Sequence, residues 1–295
     1  MVSGIVLVDK PLGLSSHSAV SGVRRALGTK KVGHAGTLDP AATGLLVMGV
    51  NGGTRLLTYL VGLDKSYSAS MRLGYETTTD DAEGEHVGEI STNLHQLRDE
   101  DIHGALDAFR GEIEQVPSTY SAIKVAGQRA YDLARAGREV ELKARKVTIS
   151  HLEAGVITRG EGFIDVELHV DCSSGTYIRA LARDIGRALG VGGHLVGLRR
   201  TRVGPFYVDG APPPQDVTQS QIHGLAEVAT HVMPSVTLSA PEVEDVSHGR
   251  PIRAEGWPGS GPVAGVDART GKLVAILESS AGRSRILMGV PDSER

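Results

Sequence analysis

Two segments of this sequence alternate apolar and polar residues along their length. In 65–73, Tyr67, Ala69, Met71 and Leu73 share one face; in 164–172, Ile164, Val166, Leu168, Val170 and Cys172 do. Successive side chains of a strand point to opposite faces, so each segment predicts a strand with one face in a core. Residues 4–8, 45–50 and 195–203 are short apolar runs that predict further strands. Three segments carry an apolar stripe at helical spacing. The first is capped by Ser15 or Ser16, turns Ala19, Val20, Val23, Ala26 and Leu27 inward and stops at Gly28. The second is capped by Asp99, with Ile102, Leu106 and Phe109 inward. The third runs over 177–189, with Ile178, Leu181, Ile185 and Leu189 inward. A short helix is expected over 54–60 and a polar loop over 77–85.

The 295 residues allow one large domain, or a medium one and a small one. Residues 117–146 look like an excursion from the core, extended and basic, with a short helix near 130–136. Ala211-Pro212-Pro213-Pro214 marks a change of character, and the apolar runs 263–266, 273–277 and 286–290 predict a small β unit beyond residue 236.

The formal net charge is −4, which on its face argues against a polyanionic partner. Its distribution argues otherwise. Residues 76–114 hold twelve acids and two bases, residues 123–146 seven bases and three acids, and residues 176–202 six bases and one acid. An acidic face opposite a basic one suits a polyanion binder of neutral total charge; solvated helix faces are the alternative. The single cysteine, Cys172, excludes an intramolecular disulfide and a cysteine-rich metal site. No signal peptide or membrane-spanning run is read, and the expected location is the cytoplasm.

Residues 32–46 hold one carboxylate, Asp39, in a loop of Gly, Thr and Pro. Pro40 biases Asp39 toward extended backbone and away from a helix. Alone, such a loop is as well explained by a turn. Arg179 falls in the first turn of its predicted helix, where the helix dipole disfavours a cation by roughly 0.3–1 kcal/mol, which suggests a compensating anion. Arg183 and Arg187 continue the stripe and suit either a solvated face or phosphate contacts. Tyr67 is either a core tyrosine or one that lines a pocket and stacks on a base. No phosphate loop, dinucleotide fingerprint, zinc motif or nucleophile elbow occurs, and His17, His34, His86, His95 and His103 lack metal-ligand spacing. What remains is carboxylate chemistry without a cofactor.

Five ordered motifs carry a resemblance. They are Gly4-Ile5-Val6-Leu7-Val8-Asp9-Lys10-Pro11 with Gly13; Lys31-Val32-Gly33-His34 with Gly36-Thr37-Leu38-Asp39-Pro40 and Ala42-Thr43-Gly44; Asp64-Lys65 with Tyr67; Cys172-Ser173-Ser174-Gly175-Thr176-Tyr177-Ile178-Arg179; and His194-Leu195 with Leu198-Arg199-Arg200-Thr201-Arg202 and Gly204-Pro205-Phe206. Together they strongly resemble the bacterial tRNA pseudouridine-55 synthases of the TruB type. The tail, with His248-Gly249-Arg250-Pro251-Ile252, resembles that family's small RNA-binding PUA domain.

The resemblance implies an α+β fold: a mixed, mostly antiparallel sheet flanked by helices over residues 1–235, and a small β-barrel PUA-like domain over 236–295. It implies isomerisation of one uridine in the T-arm of tRNA after the base is flipped out. Asp39 falls on the essential aspartate, acting on C1′, on the base or at C2′. Arg179 falls on the arginine that pairs with it, and Tyr67 on the tyrosine stacked near the base and placed for proton removal from C5. His34 falls on a histidine that supports the flipped-out arrangement, Lys10 on a basic residue beside the site, and Tyr177 and Leu198 on pocket residues. The basic segment 117–146 corresponds to an insertion that closes over the T-loop. The expected partner is tRNA, with no cofactor, no metal, no membrane and a monomeric chain. The acidic stretch 76–114 receives no role. A hydrolase using Asp39 as nucleophile, and a tRNA-binding or folding-assistance protein without catalysis, are the competing readings.

Overall fold

The computed structural model describes residues 2–119, 124–125, 128–129 and 142–294. The elements begin with β1 (Gly4–Lys10), α1 (Ser16–Leu27), β2 (Val32–His34), β3 (Ala42–Val50) and α2 (Leu57–Leu60). Then come β4 (Lys65–Leu73), β5 (Glu76–Thr77), β6 (His86–Val87), α3 (Asp99–Asp107), β7 (Gly111–Gln115), β8 (Lys124–Val125) and β9 (Gln128–Arg129). They continue as β10 (Arg145–Gly160), β11 (Phe163–Cys172), α4 (Ile178–Ala188) and β12 (Gly193–Val203). The last are β13 (Phe206–Tyr207), β14 (His223–Gly224), α5 (Leu225–Val232), β15 (Ser235–Leu238), α6 (Ala240–Ser247), β16 (Val263–Asp267), β17 (Leu273–Ser280) and β18 (Arg283–Gly289). The chain divides into two compact units, Met1–Pro40 with Gly44–Gly62 and Val203–Arg295, and Ala41–Thr43 with Leu63–Arg202.

In the first unit β1 runs antiparallel to β3 from Gly4↔Val50 to Lys10↔Gly44, and its other edge takes β14. Strand β2 adds to β3, with His34 opposite Met48. The boundaries of α1 follow from local chemistry. Ser15 is its N-cap and accepts the Ser18 N–H at 3.0 Å; Gly28 ends it at φ 63°, a left-handed conformation that costs a glycine nothing. Ala19, Val20 and Val23 are buried as the periodicity predicts, whereas Ala26 in the last turn is exposed. The C-terminal strands form a sheet in the order β15-β16-β17-β18, parallel between β15 and β16 and antiparallel elsewhere. Helix α6 covers it through Val243 and Val246, packed with Leu238, Ile252, Val274 and Leu277. The described pairings trace an open path, so the small β unit is observed and a closed barrel is not.

In the second unit the strand order is β12-β4-β11-β10-β7. The two alternating segments pair directly, from Ile164↔Leu73 to Cys172↔Lys65. Their apolar faces, with Ile178, Leu181 and Ile185 of α4 and Ile102 and Leu106 of α3, form one buried cluster. Each such side chain removed from water is worth about 1.5–3 kcal/mol, which explains why α4 lies against this face. The same parity that buries Tyr67 also buries Lys65, which is 6% exposed. Helix α3 has Arg98, not Asp99, at its N-cap, with the Asp101 carboxylate accepting the Arg98 N–H at 3.0 Å. The expected helix near 130–136 lies outside the described residues. Among the described residues, helices and largely antiparallel strands, with β15 and β16 paired in parallel, make the chain α+β.

Candidate active site

The loop that carries Asp39 connects the end of β2 to the start of β3, in the first unit. Asp39 is half-buried between two neighbours that are both tied down. On one side, Ser16 Oγ accepts the Leu38 N–H at 2.8 Å and donates to the Leu38 carbonyl at 2.8 Å. On the other, the Pro40 carbonyl accepts the Gly13 N–H at 2.9 Å and a bond from Lys10 Nζ at 3.4 Å. Gly13 sits at φ 79°, where a side chain would strain the turn that aims its N–H at Pro40. Lys10 is completely buried, and its ammonium also donates to the carbonyls of Leu14 at 2.7 Å and Pro11 at 3.1 Å. A buried cation spread over carbonyl dipoles fastens the two loops to each other. His34 closes β2 five residues before Asp39, so Lys10, His34 and Asp39 all belong to the frame of this one loop.

The second unit holds Tyr67, Arg179, Tyr177 and Leu198. Tyr67 is buried on β4 opposite Val170, and Leu198 of β12 packs against the same apolar cluster. Arg179 is buried in the first turn of α4. Its Nη1 donates to Asp81 Oδ2 at 3.1 Å and to the Thr79 carbonyl at 3.2 Å. Asp81 is an anion of the kind that the placement of Arg179 at the positive end of a helix calls for. Tyr177 is the N-cap residue of α4, and its backbone N–H and carbonyl are both bonded to the Gln115 side chain, at 2.8 and 3.1 Å.

The acidic stretch has a use that the sequence reading left open. Arg183 Nη1 lies 3.0 Å from Asp80 Oδ2 and its Nε 2.8 Å from Asp184; Arg187 makes a bidentate pair with Glu76, both contacts at 2.7 Å. The arginine stripe of α4 therefore meets acids from β5 and from the loop that joins it to β6. Three of the acids counted in 76–114 are thus partners of α4 arginines; Arg183 is buried in its ion pairs, whereas Arg187 is paired but 56% exposed. The loop that presents the acids is rigidly built. Asp80 adopts φ 60°, uncommon for a residue with a side chain, and is held by bonds from its N–H to Thr77 and from Leu195 N–H to its carbonyl. Asp81 Oδ1 accepts the Glu83 N–H at 3.1 Å and the Thr79 hydroxyl. Burial holds the Asp80 carboxyl above the usual carboxylate range, with Arg183 pulling the other way.

Around Tyr67 the strand pair carries further buried polar groups. Lys65 Nζ donates to the Leu63 carbonyl at 2.5 Å, and burial, then the like charge of Arg200, lower its pKa to about 8. Burial raises the neighbouring Cys172 thiol to about 11. Arg202 Nε donates to Ser66 Oγ at 2.7 Å. Among the described residues, no group of three or more His, Cys, Asp and Glu side chains could hold a metal ion.

Asp80, Asp81 and Gln115 carry no local sequence signal; of the two cap candidates Ser15 and Ser16, Ser15 caps α1 and Ser16 instead holds Leu38.

Comparison with known proteins matches three consecutive segments of the chain. Residues 24–178 match the family model described as TruB family pseudouridylate synthase (N terminal domain). Residues 179–235 match the tRNA pseudouridylate synthase B C-terminal domain, and residues 233–291 match tRNA Pseudouridine synthase II, C terminal. The chain is 51% identical over 284 residues to the tRNA pseudouridine synthase B of Mycobacterium sp. (strain KMS), covering 96% of this chain and 94% of that one. It is 47% identical over 305 residues to the protein of the same name from Arthrobacter sp. (strain FB24), covering 100% and 99%. Among solved structures it is similar to a chain in the crystal structure of a Cbf5–Nop10–Gar1 complex, with TM-score 0.71 and 26% identity over 98% of this chain and 84% of that one.

Proposed function

Because the chain belongs to the TruB family of pseudouridylate synthases, we propose that it isomerises uridine 55 in the T-arm of tRNA to pseudouridine, with Asp39 as the essential carboxylate. The observation that carries the proposal for the site is the clamp on Asp39. Asp39 stands between two neighbours whose backbone is fixed by Ser16, Gly13 and Lys10. A group that must meet one carbon of a bound nucleoside needs this degree of positioning, since a misplacement of about 1 Å can cost ~100-fold in rate.

The chemistry breaks the N1–C1′ bond, turns the freed base and forms a C5–C1′ bond; C5 loses its proton and N1 gains one, so the reaction balances without oxidant or cofactor. Asp39 acts at C1′, on the base or at C2′. On the family resemblance Arg179 is the partner of that carboxylate, and Tyr67 stacks near the base and serves the proton removal from C5. His34 supports the flipped-out base, and Tyr177 and Leu198 line its pocket. Lys10 acts beside the site, fastening the loop that carries the carboxylate. The basic segment 117–146 contacts the tRNA, and residues 236–295 form a PUA-like RNA-binding unit after a catalytic domain over 1–235. The enzyme works as a monomer in the cytoplasm, and no described helix is long and apolar enough to cross a membrane.

The test is a map of pseudouridine in an unmodified tRNA transcript after incubation with the protein, read by carbodiimide labelling and primer extension. A single new stop at the T-loop uridine is expected. Stops elsewhere would reassign the substrate, and tRNA bound without any stop would favour a binding or folding-assistance protein.

A further inference from the structure

Strand β7 ends beside the N-terminus of α4, and two consecutive residues there hold the helix. Gln115 is 2% exposed, and both ends of its amide are used on one residue: Oε1 accepts the Tyr177 N–H and Nε2 donates to the Tyr177 carbonyl. Tyr177 has no side-chain cap of its own, and its carbonyl also accepts the Leu181 N–H that opens the helix, at 3.0 Å. Gln115 thus grips the backbone of the N-cap residue where a capping side chain would otherwise act. The next residue, Val116, accepts a bond from Arg183 Nη2 on its carbonyl at 2.8 Å. Arg183 itself is fixed at its other nitrogens by Asp80 and Asp184.

These two grips lie on Tyr177 and Arg183, about 9 Å apart along a helix that rises 1.5 Å per residue. Core packing through Ile178, Leu181 and Ile185 seats one face of the helix, and two bonds separated along it restrict its remaining turn about the axis. Arg179 lies between them. A rotation of roughly 10° would sweep a guanidinium at the end of a long side chain by about 1 Å, which is the scale on which catalytic geometry is lost. The direction of Arg179 therefore depends on how α4 is seated against the end of β7.

We propose that Gln115 is a positioning residue for the isomerisation: by holding the N-cap residue of α4, with Arg183 and Val116 holding the helix further along, it sets where the Arg179 guanidinium points. This rests on the reading of Arg179 as an active-site residue. Both ends of the Gln115 amide are spent on the Tyr177 backbone, so the role assigned to it is positional and not chemical.

The experiment is a double-mutant cycle read by single-turnover pseudouridine formation and by tRNA affinity. Gln115→Ala should slow the single-turnover step by about 10–100-fold while changing the Kd for tRNA by less than about twofold. In an Arg179→Lys background, whose own guanidinium geometry is already gone, Gln115→Ala should slow the step by less than about threefold. Equal slowing in both backgrounds would overturn the proposal, because a general structural defect acts without regard to Arg179. So would an unchanged rate for Gln115→Ala. If Gln115→Ala does not fold, Gln115→Glu enters the same cycle under the same criterion; it keeps the acceptor for the Tyr177 N–H and loses the donor to the carbonyl. If both Arg179→Lys and Arg179→Ala keep the full rate, the active-site reading of Arg179 fails first and the positioning role falls with it.

Discussion

Arg179 and Asp81 form a buried ion pair at 3.1 Å, with side-chain exposures of 8% and 11%, between the first turn of α4 and the loop that joins β5 to β6. The pair ties the arginine proposed to serve Asp39 to an acid 98 positions away in sequence. Asp81 is held in turn by Thr79 and Glu83, so its position does not depend on the arginine alone.

Asp81→Asn keeps the size of the side chain and removes its charge. It should cost about 1–3 kcal/mol of stability, measured by urea unfolding, because a hydrogen bond between charged, buried groups is weakened. The single-turnover rate should fall further than tRNA affinity.

Glu76→Gln makes the contrast. The Glu76–Arg187 pair is bidentate, but the Arg187 side chain is 56% exposed. Exposed pairs are worth about 0.2–1 kcal/mol, so this variant should unfold within ~1 kcal/mol of wild type and keep its turnover.

Ser16→Ala removes both bonds to Leu38 and leaves buried backbone groups beside Asp39 without those partners. A loss of about 1–3 kcal/mol is expected. The rate should fall while tRNA affinity holds, because the tRNA surface is untouched and only the aspartate loop loosens.

Lys65 makes a prediction about pH. Its pKa is about 8 in the folded chain against an ordinary 10.5, so between these values the unfolded chain binds more protons. The contribution of Lys65 to stability therefore rises with pH across that window and is most unfavourable below about pH 8. The stability of wild type minus that of Lys65→Met should increase from pH 8 to pH 10.5 in chemical denaturation. A difference that stays flat or falls would contradict the burial argument.

What could be read ahead of the structure was local. Alternation in 65–73 and 164–172 is a property of a single strand, and both strands formed and paired; Ser15 and Gly28 bound α1 through contacts within a few residues. Lys65 was missed for an instructive reason: its parity already placed it inward, but lysine is not expected there. The clamp on Asp39 joins residues such as Ser16 and Leu38, 22 positions apart, and the pairing of the α4 arginines joins residues about a hundred apart. No local pattern encodes contacts of that kind. Charge counts alone set the acids of 76–114 against the bases of 176–202 as two faces, when several of them are each other's partners.

The central claim is that Asp39 performs the chemistry and is not merely part of a turn. The measurement is tritium release from tRNA transcript labelled at C5 of uridine, comparing wild type with Asp39→Asn, alongside tRNA binding by both. Release by wild type, a loss of at least about 1,000-fold in Asp39→Asn and near-equal binding are expected if Asp39 performs the chemistry. Equal release by the two proteins would contradict it.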